Sequence, residues 1–298
     1  MKVLAFGELL WDIIDGVEHI GGAPFNMAAH LSKMGAEAGM VSAVGRDKRG
    51  TRALEEVRRL GIRTDLIAET AQFPTGIVNV EVDAHGKPTY EIREGSAWDR
   101  IELDAGQMKT VSEETWDIAA FGTLAQRTSY NREVLKKVLE GAAPKEVFFD
   151  VNLRLEYYNA GILEDSLNAA TILKLNDEEV PVISKLVFGR EIPDEDFCRT
   201  IEKERGIPTT VLTRGKQGAL VYHRGTIIHV PIIDVPVADT VGAGDSFSAG
   251  FLYGYFQTGD AGKGARLAAE LSSFVASRSG AIPSYNEHIE GVVRNIRM

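Results

Sequence analysis

Short apolar runs alternate with longer amphipathic ones along most of this chain. "KVLAFG" near the start is an apolar run closed by glycine and predicts a buried strand. "APFNMAAHLSKMG" then carries Phe25, Ala28, Ala29, Leu31 and Met34 at helical spacing and stops at Gly35. "AGMVSAVG" predicts another strand, and "DKRGTRALEEVRRLG" a second amphipathic helix with a glycine stop. "EVFFDVN", "AATILKLN" and "TTVLTRG" repeat the theme, each an apolar run that ends in polar residues or glycine. Strands alternating with helices at this interval predict an α/β fold with a mostly parallel sheet covered on both faces. Ligands of such folds bind beyond the carboxyl ends of the strands. The polar residues that close these runs are therefore the first candidates for chemistry.

Two segments break the alternation. "DIIDGVEHIGG" and "TGIVNVEVDAHGKPTYEIREG" read as strand-rich, with "HGKP" as a hairpin turn. They predict a small sheet projecting from the core, formed by segments about 13–20 and 76–95. It is either a lid over an active site or an edge hairpin with no moving role. No internal repeat, low-complexity tract or linker interrupts the chain, so one domain over 1–298 is expected.

Composition narrows the partners. The chain is 44% apolar and 26% charged, an ordinary globular balance. Its 33 basic and 43 acidic residues give a net charge of -10, which argues against non-specific nucleic-acid binding. An anionic ligand stays open, because backbone amides bind phosphate without side-chain charge. Cys198 is the only cysteine, so no intramolecular disulfide forms and a reducing cytoplasm is the expected compartment. No catalytic Cys/His arrangement surrounds it, and it reads as a packed thiol. Glu8 and Asp12 interrupt the apolar run at the start. No stretch reaches the roughly 18 apolar residues of a membrane span, so a soluble, non-secreted protein is expected. His19, His30, His85, His223, His229 and His288 are scattered without metal-ligand spacing and read as structural or surface residues.

The densest signal lies in "VADTVGAGDSFSAGFLYG", Val237 to Gly254. Gly242, Ala243 and Gly244 strip the backbone of side chains just before a helical stretch, the arrangement that lets amides reach an anion at a helix N-terminus. It is not a dinucleotide fingerprint, which would want a glycine where Phe247 stands, and no GxxxxGK[ST] loop occurs. Asp245 admits two readings from this stretch alone. One is a helix cap after a glycine turn. The other is a base that takes a proton from a hydroxyl attacking a phosphoryl group held in the cradle.

"DTVGAGDSFSAGFL" resembles the C-terminal signature of the ribokinase-like (PfkB-type) sugar kinases, and "GGAPFNMAAHLSKMGAEAGMVSAVGRDKRG" resembles their N-terminal signature. The two lie more than 200 residues apart in the family's order, so the resemblance covers essentially the whole chain. It implies a three-layer α/β/α fold with a β lid, and ATP as phosphoryl donor. By that resemblance Asp245 is the catalytic base and the amides of Gly242, Ala243 and Gly244 form the anion hole. Asp12, the Gly21-Gly22 turn and Asn26 would hold the sugar; for Asn26 a structural role at the helix start is an equal alternative. Arg154 in "FDVNLR" would contact sugar or phosphate, or else form a surface salt bridge; Val151 stands where many relatives carry proline. Asn176 and Glu179 in "KLNDEEV" would support Mg²⁺ through its waters, and Asn176, Thr213, Gly215 and Gly218 would line the nucleotide. Asp239 and Val241, with the carbonyls of Val275, Arg278 and Gly280 and the hydroxyl of Ser284, match the family's K⁺ site.

Within the family, "GGAPFN", "FDVNLR" and "FGTLAQ" (Phe121 to Gln126) look more like fructokinases than ribokinases. Phosphorylation of fructose at the primary hydroxyl, to fructose 6-phosphate, is the expectation. Ribose or 2-keto-3-deoxygluconate is the alternative acceptor. Rivals from other classes are a non-catalytic sugar or nucleotide sensor and a Rossmann-type oxidoreductase. Lid strand edges invite pairing, so a homodimer is expected too.

Overall fold

The computed structural model describes residues 1–82 and 88–297. The chain opens with β1 (Lys2–Phe6) and then makes an excursion through β2 (Leu10–Ile14) and β3 (Val17–Gly21). It returns through α1 (Ala23–Lys33), β4 (Glu37–Gly45), α2 (Lys48–Arg59) and β5 (Ile67–Thr70), and leaves again as β6 (Gly76–Val82) and β7 (Pro88–Ile92). α3 (Ala105–Glu113), β8 (Ile118–Gly122), α4 (Ser129–Ala142), β9 (Glu146–Asp150), α5 (Ala160–Ala169) and β10 (Ile172–Asn176) follow in βα alternation. So do α6 (Glu179–Phe188), α7 (Asp194–Arg205) and β11 (Thr209–Thr213). A hairpin of β12 (Ala219–His223) and β13 (Thr226–Val230) closes the sheet, and α8 (Ala243–Thr258), α9 (Ala261–Ala276) and α10 (Glu287–Arg297) end the chain.

The large sheet has the order β13-β12-β11-β10-β9-β8-β1-β4-β5. It is parallel from β5 to β11 and antiparallel at β12 and β13. This is the α/β architecture the apolar runs predicted, with the fold the resemblance implied. Side chains alternate across β1: Val3 and Ala5 join the core under α1, α8 and α9, while Leu4 and Phe6 join the core under α4 and α5. Both faces are buried, which is why the strands read as unbroken apolar runs. Glycines at 250, 254 and 264 let α8 and α9 approach closely; a Cβ on Gly250 would stand 2.8 Å from the Cα of Ala268.

The small sheet has the order β3-β2-β6-β7, with β2 and β6 parallel and the outer pairs antiparallel. It starts earlier than the segments expected from sequence, since β2 opens at Leu10 and β3 runs to Gly21. The "HGKP" turn falls largely outside the described residues. Leu10, Val78 and Ile92 pack with Trp98 and Leu124, so the small sheet has an apolar seam to the body of the molecule.

After β1 the chain builds outward to β4 and β5, then crosses back to add β8 on the other side of β1. That reversal opens a crevice at the carboxyl ends of the central strands. Residues following β1, β9, β10 and β11 line it, and α8 starts beside it.

Candidate active site

Gly242 is the N-cap of α8, in the left-handed region at φ 75°, and Ala243, Gly244 and Asp245 form the first turn. The N–H of Ser246 bonds the carbonyl of Gly242 at 2.8 Å, and that of Ala243 bonds Thr240 at 3.2 Å. The N–H groups of Gly242, Gly244 and Asp245 have no acceptor among the described residues; Ala243, expected among the anion-hole donors, is instead engaged with Thr240, and Asp245 is the third free donor. Three free donors at the positive end of a 16-residue helix are the arrangement that attracts an anion without any basic side chain.

Asp245 caps no backbone group of its own helix. Its Oδ2 instead accepts a hydrogen bond of 2.8 Å from Nδ2 of Asn26, on α1, 219 residues earlier. Asn26 is buried, and its Oδ1 has no hydrogen-bond partner among the described residues. An unpaired buried acceptor costs about 1–3 kcal/mol, so such an atom points to a missing ligand group or water.

Asp12, at the centre of β2, and Gly21, at the end of β3, meet on one side of the crevice. A Cβ on Gly21 would stand 2.3 Å from Oδ2 of Asp12, and one on Gly22 (φ 115°) would stand 2.2 Å from the carbonyl of Glu8. At Gly22 glycine is a steric requirement of the turn; at Gly21 a side chain would displace the Asp12 carboxylate. Three carboxyl groups share this space. Burial raises Asp245 to about 6, with the Asn26 hydrogen bond opposing the shift and the charge of Asp150 adding to it. Burial and then the charge of Asp245 raise Asp12 to about 6. Burial, opposed by backbone hydrogen bonds and reinforced by Asp245, raises Glu8 to about 7. These groups are electrostatically linked, so they titrate as a cluster.

Arg154 is the cation whose charge reaches all three carboxyl groups. It is exposed and forms no ion pair with a carboxylate among the described residues; its Nη1 donates to the carbonyl of Leu153 at 3.1 Å. Asn152 (φ 40°) and Leu155 (φ 48°) hold left-handed backbone on either side of it. Such conformations cost about 1–3 kcal/mol and concentrate at functional sites.

Below the glycine turn lies an ion pair. Nζ of Lys174, on β10, is 2.9 Å from Oδ1 of Asp150 at the end of β9. Oδ2 of Asp150 accepts from the hydroxyl of Ser248 on α8 at 3.2 Å. Burial pulls the Lys174 ammonium down, but Asp150, Glu179 and Asp245 together hold it above the ordinary lysine value. Removing either partner alone would strand a buried charge, at a cost of about 3–5 kcal/mol.

Asn176 and Glu179 engage each other. Oε2 of Glu179 accepts from the N–H of Asn176 at 2.8 Å, and Oδ1 of Asn176 accepts from the N–H of Glu179 at 2.9 Å. Oε1 of Glu179 accepts from the N–H of Leu153 at 2.7 Å, tying the loop after β9 to the end of β10. Burial raises this carboxyl too, with Lys174 opposing. Both carboxylate oxygens already accept from protein, so the donor set fits a cation held through water rather than a directly bound one.

Thr213 ends β11, and Gly215 (φ 49°) and Gly218 (φ 79°) shape the turn that follows. A Cβ on Gly218 would stand 2.1 Å from the carbonyl of Val230. Asp239 accepts from the N–H of Val241 at 3.0 Å and from that of Gly280 at 3.2 Å, drawing the irregular segment before the glycine turn against the loop after α9. The carbonyl of Val275 accepts from the N–H of Arg278 at 2.9 Å. Ser284 is exposed. Oxygen donors of this kind suit a hard monovalent cation.

The same loop braces Gly242. His30, fully buried on α1, bonds Tyr285 Oη at 2.8 Å through Nδ1 and the carbonyl of Ala281 at 2.9 Å through Nε2. Since a carbonyl only accepts, Nε2 carries the proton and Nδ1 accepts from the phenol. Burial depresses this imidazole to about 4, so it is neutral near pH 7. Ala281 in turn packs on Gly242.

Glu8, Lys174 and His30 escaped the motif reading as site-related residues. Each left a trace, because each is a polar residue within an otherwise apolar strand end or helix face. Cys198, on α7, is buried in the core, and burial pushes its thiol up to about 12.

A family model described as "pfkB family carbohydrate kinase" matches residues 3–288. The chain is 29% identical to the uncharacterized sugar kinase PH1459 from Pyrococcus horikoshii, over 91% of this chain and 89% of that one. The crystal structure of that protein in complex with ATP superposes with a TM-score of 0.83 at 25% identity, covering 99% of this chain and 100% of the other. A fructokinase of Escherichia coli is 26% identical over 87% of this chain and 85% of its own length. A 2-dehydro-3-deoxygluconokinase of Thermoproteus tenax is 28% identical over 91% and 84%.

Proposed function

This chain belongs to the pfkB family of carbohydrate kinases, and from that premise we propose that it transfers the γ-phosphoryl group of ATP to the primary hydroxyl of fructose, giving fructose 6-phosphate. The observation that carries the mechanism is the position of Asp245, a half-buried carboxylate at the mouth of three unengaged backbone N–H groups. Asp245 takes the proton of the acceptor hydroxyl as its oxygen forms a bond to the γ-phosphorus. The bond from that phosphorus to the bridging oxygen breaks, and ADP leaves with the electron pair. The N–H groups of Gly242, Gly244 and Asp245 receive charge developing on the phosphoryl oxygens. Asp12, Gly21-Gly22, Asn26 and Arg154 hold the sugar, with the orphaned Oδ1 of Asn26 accepting from a sugar hydroxyl. Thr213, Gly215 and Gly218 line the nucleotide.

Asn176 and Glu179 would hold Mg²⁺ through its waters, which would neutralise phosphate charge. K⁺ at Asp239, Val241, Val275, Arg278, Gly280 and Ser284 would brace the glycine turn. The ATP complex of the Pyrococcus protein supports the donor, and the fructokinase relative supports the acceptor. The 2-dehydro-3-deoxygluconokinase relative is 28% identical against 26% for the fructokinase, so 2-keto-3-deoxygluconate is the competing acceptor, and ribose the third.

ADP release with Mg-ATP and K⁺ across fructose, ribose, glucose, mannose, 2-keto-3-deoxygluconate and fructose 6-phosphate tests the proposal. Fructose is expected to give the highest kcat/KM. A preference for another sugar keeps the chemistry and removes fructose; no turnover with any of them favours a sensor.

A homodimer joined through the small sheet belongs to the same proposal, since β3 and β7 are its edge strands. Val17 on β3 is 55% exposed and would be covered. Light scattering is expected to give twice the chain mass of 32.5 kDa. A monomer at all concentrations would remove this assembly. No helix among the described residues is long and apolar enough to cross a membrane.

A further inference from the structure

We propose that Lys174 is a positioning residue for phosphoryl transfer: its buried ammonium seats the first turn of α8 and supplies a fixed positive charge beneath the anion hole. The proposal rests on the kinase reading above, and on geometry that no motif pointed to. Lys174 is 6% exposed, in the middle of a strand whose other inward residues are apolar. Its Nζ would stand 3.5 Å from a Cβ on Gly244, which sets the ammonium against the backbone of the glycine turn. Through Asp150 it reaches Ser248, whose hydroxyl lies 3.1 Å from the carbonyl of Gly244. A chain of contacts thus runs from β10 through β9 to the turn that carries Asp245.

An ammonium has three N–H donors. Lys174 has one protein acceptor among the described residues, Asp150. The lysine is buried against Asp150 and the glycine turn, where ADP and a transferred phosphoryl group would bring further negative charge. In a site of low dielectric, a fixed cation stabilises that charge without reorganising.

Four variants test this: Lys174→Met, Lys174→Arg, Asp150→Asn and the double Lys174→Met/Asp150→Asn. Each is assayed with Mg-ATP and the sugar that wild type turns over fastest, with Tm measured in parallel. Lys174→Met is expected to lower kcat at least about tenfold, with sugar and ATP KM values within about threefold of wild type. Lys174→Arg should recover part of the loss. The double variant removes both buried charges, so its Tm should return toward wild type while kcat stays low. Asp150→Asn alone keeps the lysine, with Glu179 and Asp245 still favouring its charge, and should lose less than either.

Wild-type kcat in the double variant would reduce Lys174 to a counter-ion for folding and overturn the proposal. A loss in Asp150→Asn as deep as in the double would assign the effect to Asp150 and overturn it equally. Should Lys174→Met fail to fold, the double variant carries the same comparison. Asp245→Asn in the same assay separates the two readings: full activity there would break the kinase mechanism, whereas the Lys174 series addresses the cation alone.

Discussion

Asp245→Asn is expected to lower kcat by about 10²–10⁴-fold, the usual contribution of a positioned general base, while leaving the sugar KM within about threefold. The amide still offers an oxygen to Nδ2 of Asn26, so the 2.8 Å hydrogen bond and the helix start survive. What disappears is a group able to accept a proton. The pH dependence supplies an independent check. A base works ionised, and Asp245 is raised to about 6, so wild-type kcat/KM should fall as pH drops through that region. Asp12 at about 6 and Glu8 at about 7 share the titration, so the observed midpoint belongs to the cluster. Stability runs the other way. A carboxyl raised on folding contributes stability that is present below its unfolded value of 3.8 and lost as pH rises through about 6. Asp245→Asn, neutral throughout, should therefore raise Tm at pH 8 and give no gain at pH 4. Retained turnover, or a variant less stable at pH 8, would remove Asp245 from the role of a desolvated base.

Gly242→Ala is expected to cost about 10²-fold or more in kcat, the scale of losing one donor of an oxyanion hole, together with a clear drop in Tm. Two effects add. The left-handed backbone at φ 75° costs a residue with a Cβ about 1–2 kcal/mol. The added methyl would also stand 2.6 Å from Cβ of Ala281 and 2.7 Å from its Cα, which is impossible without movement. Ala281 cannot yield freely, because its carbonyl is bonded to the buried His30 and Lys33 bonds the carbonyl of Pro283 two residues on. The glycine turn must move instead, and its N–H groups with it. Sugar KM should change little, since Asp12, Gly21 and Gly22 belong to the small sheet and the start of α1. Steady-state kinetics and thermal unfolding check both halves. Activity within twofold of wild type would mean that the turn's conformation does not set the rate.

Placing these groups together divides what local pattern encodes from what it cannot. The sequence alone determined the alternation of strands and helices, since a strand buried on both faces must be apolar throughout and a helix over it must be amphipathic. It showed the bare-backbone turn at Gly242-Ala243-Gly244, because a run of small residues before a helix is a local property. The two signatures, more than 200 residues apart, carried the family and thereby singled out Asp12, Asn26 and Asp245 as candidates. Tertiary structure decided the rest. Asp245 is a hydrogen-bonded, half-buried carboxylate rather than a cap because α1 packs on α8, a contact spanning 219 residues. Glu8 joins the acid cluster because β1 lies between β4 and β8, which puts the loop after it at the reversal of strand order. Lys174 meets Asp150 because β9 and β10 are neighbours in register, and His30 meets Ala281 because the loop after α9 folds back over α1. Each of these joins groups far apart in the chain, and their energies depend on burial that only the assembled sheet creates. Periodicity records which face of an element is covered; it carries no record of what covers it.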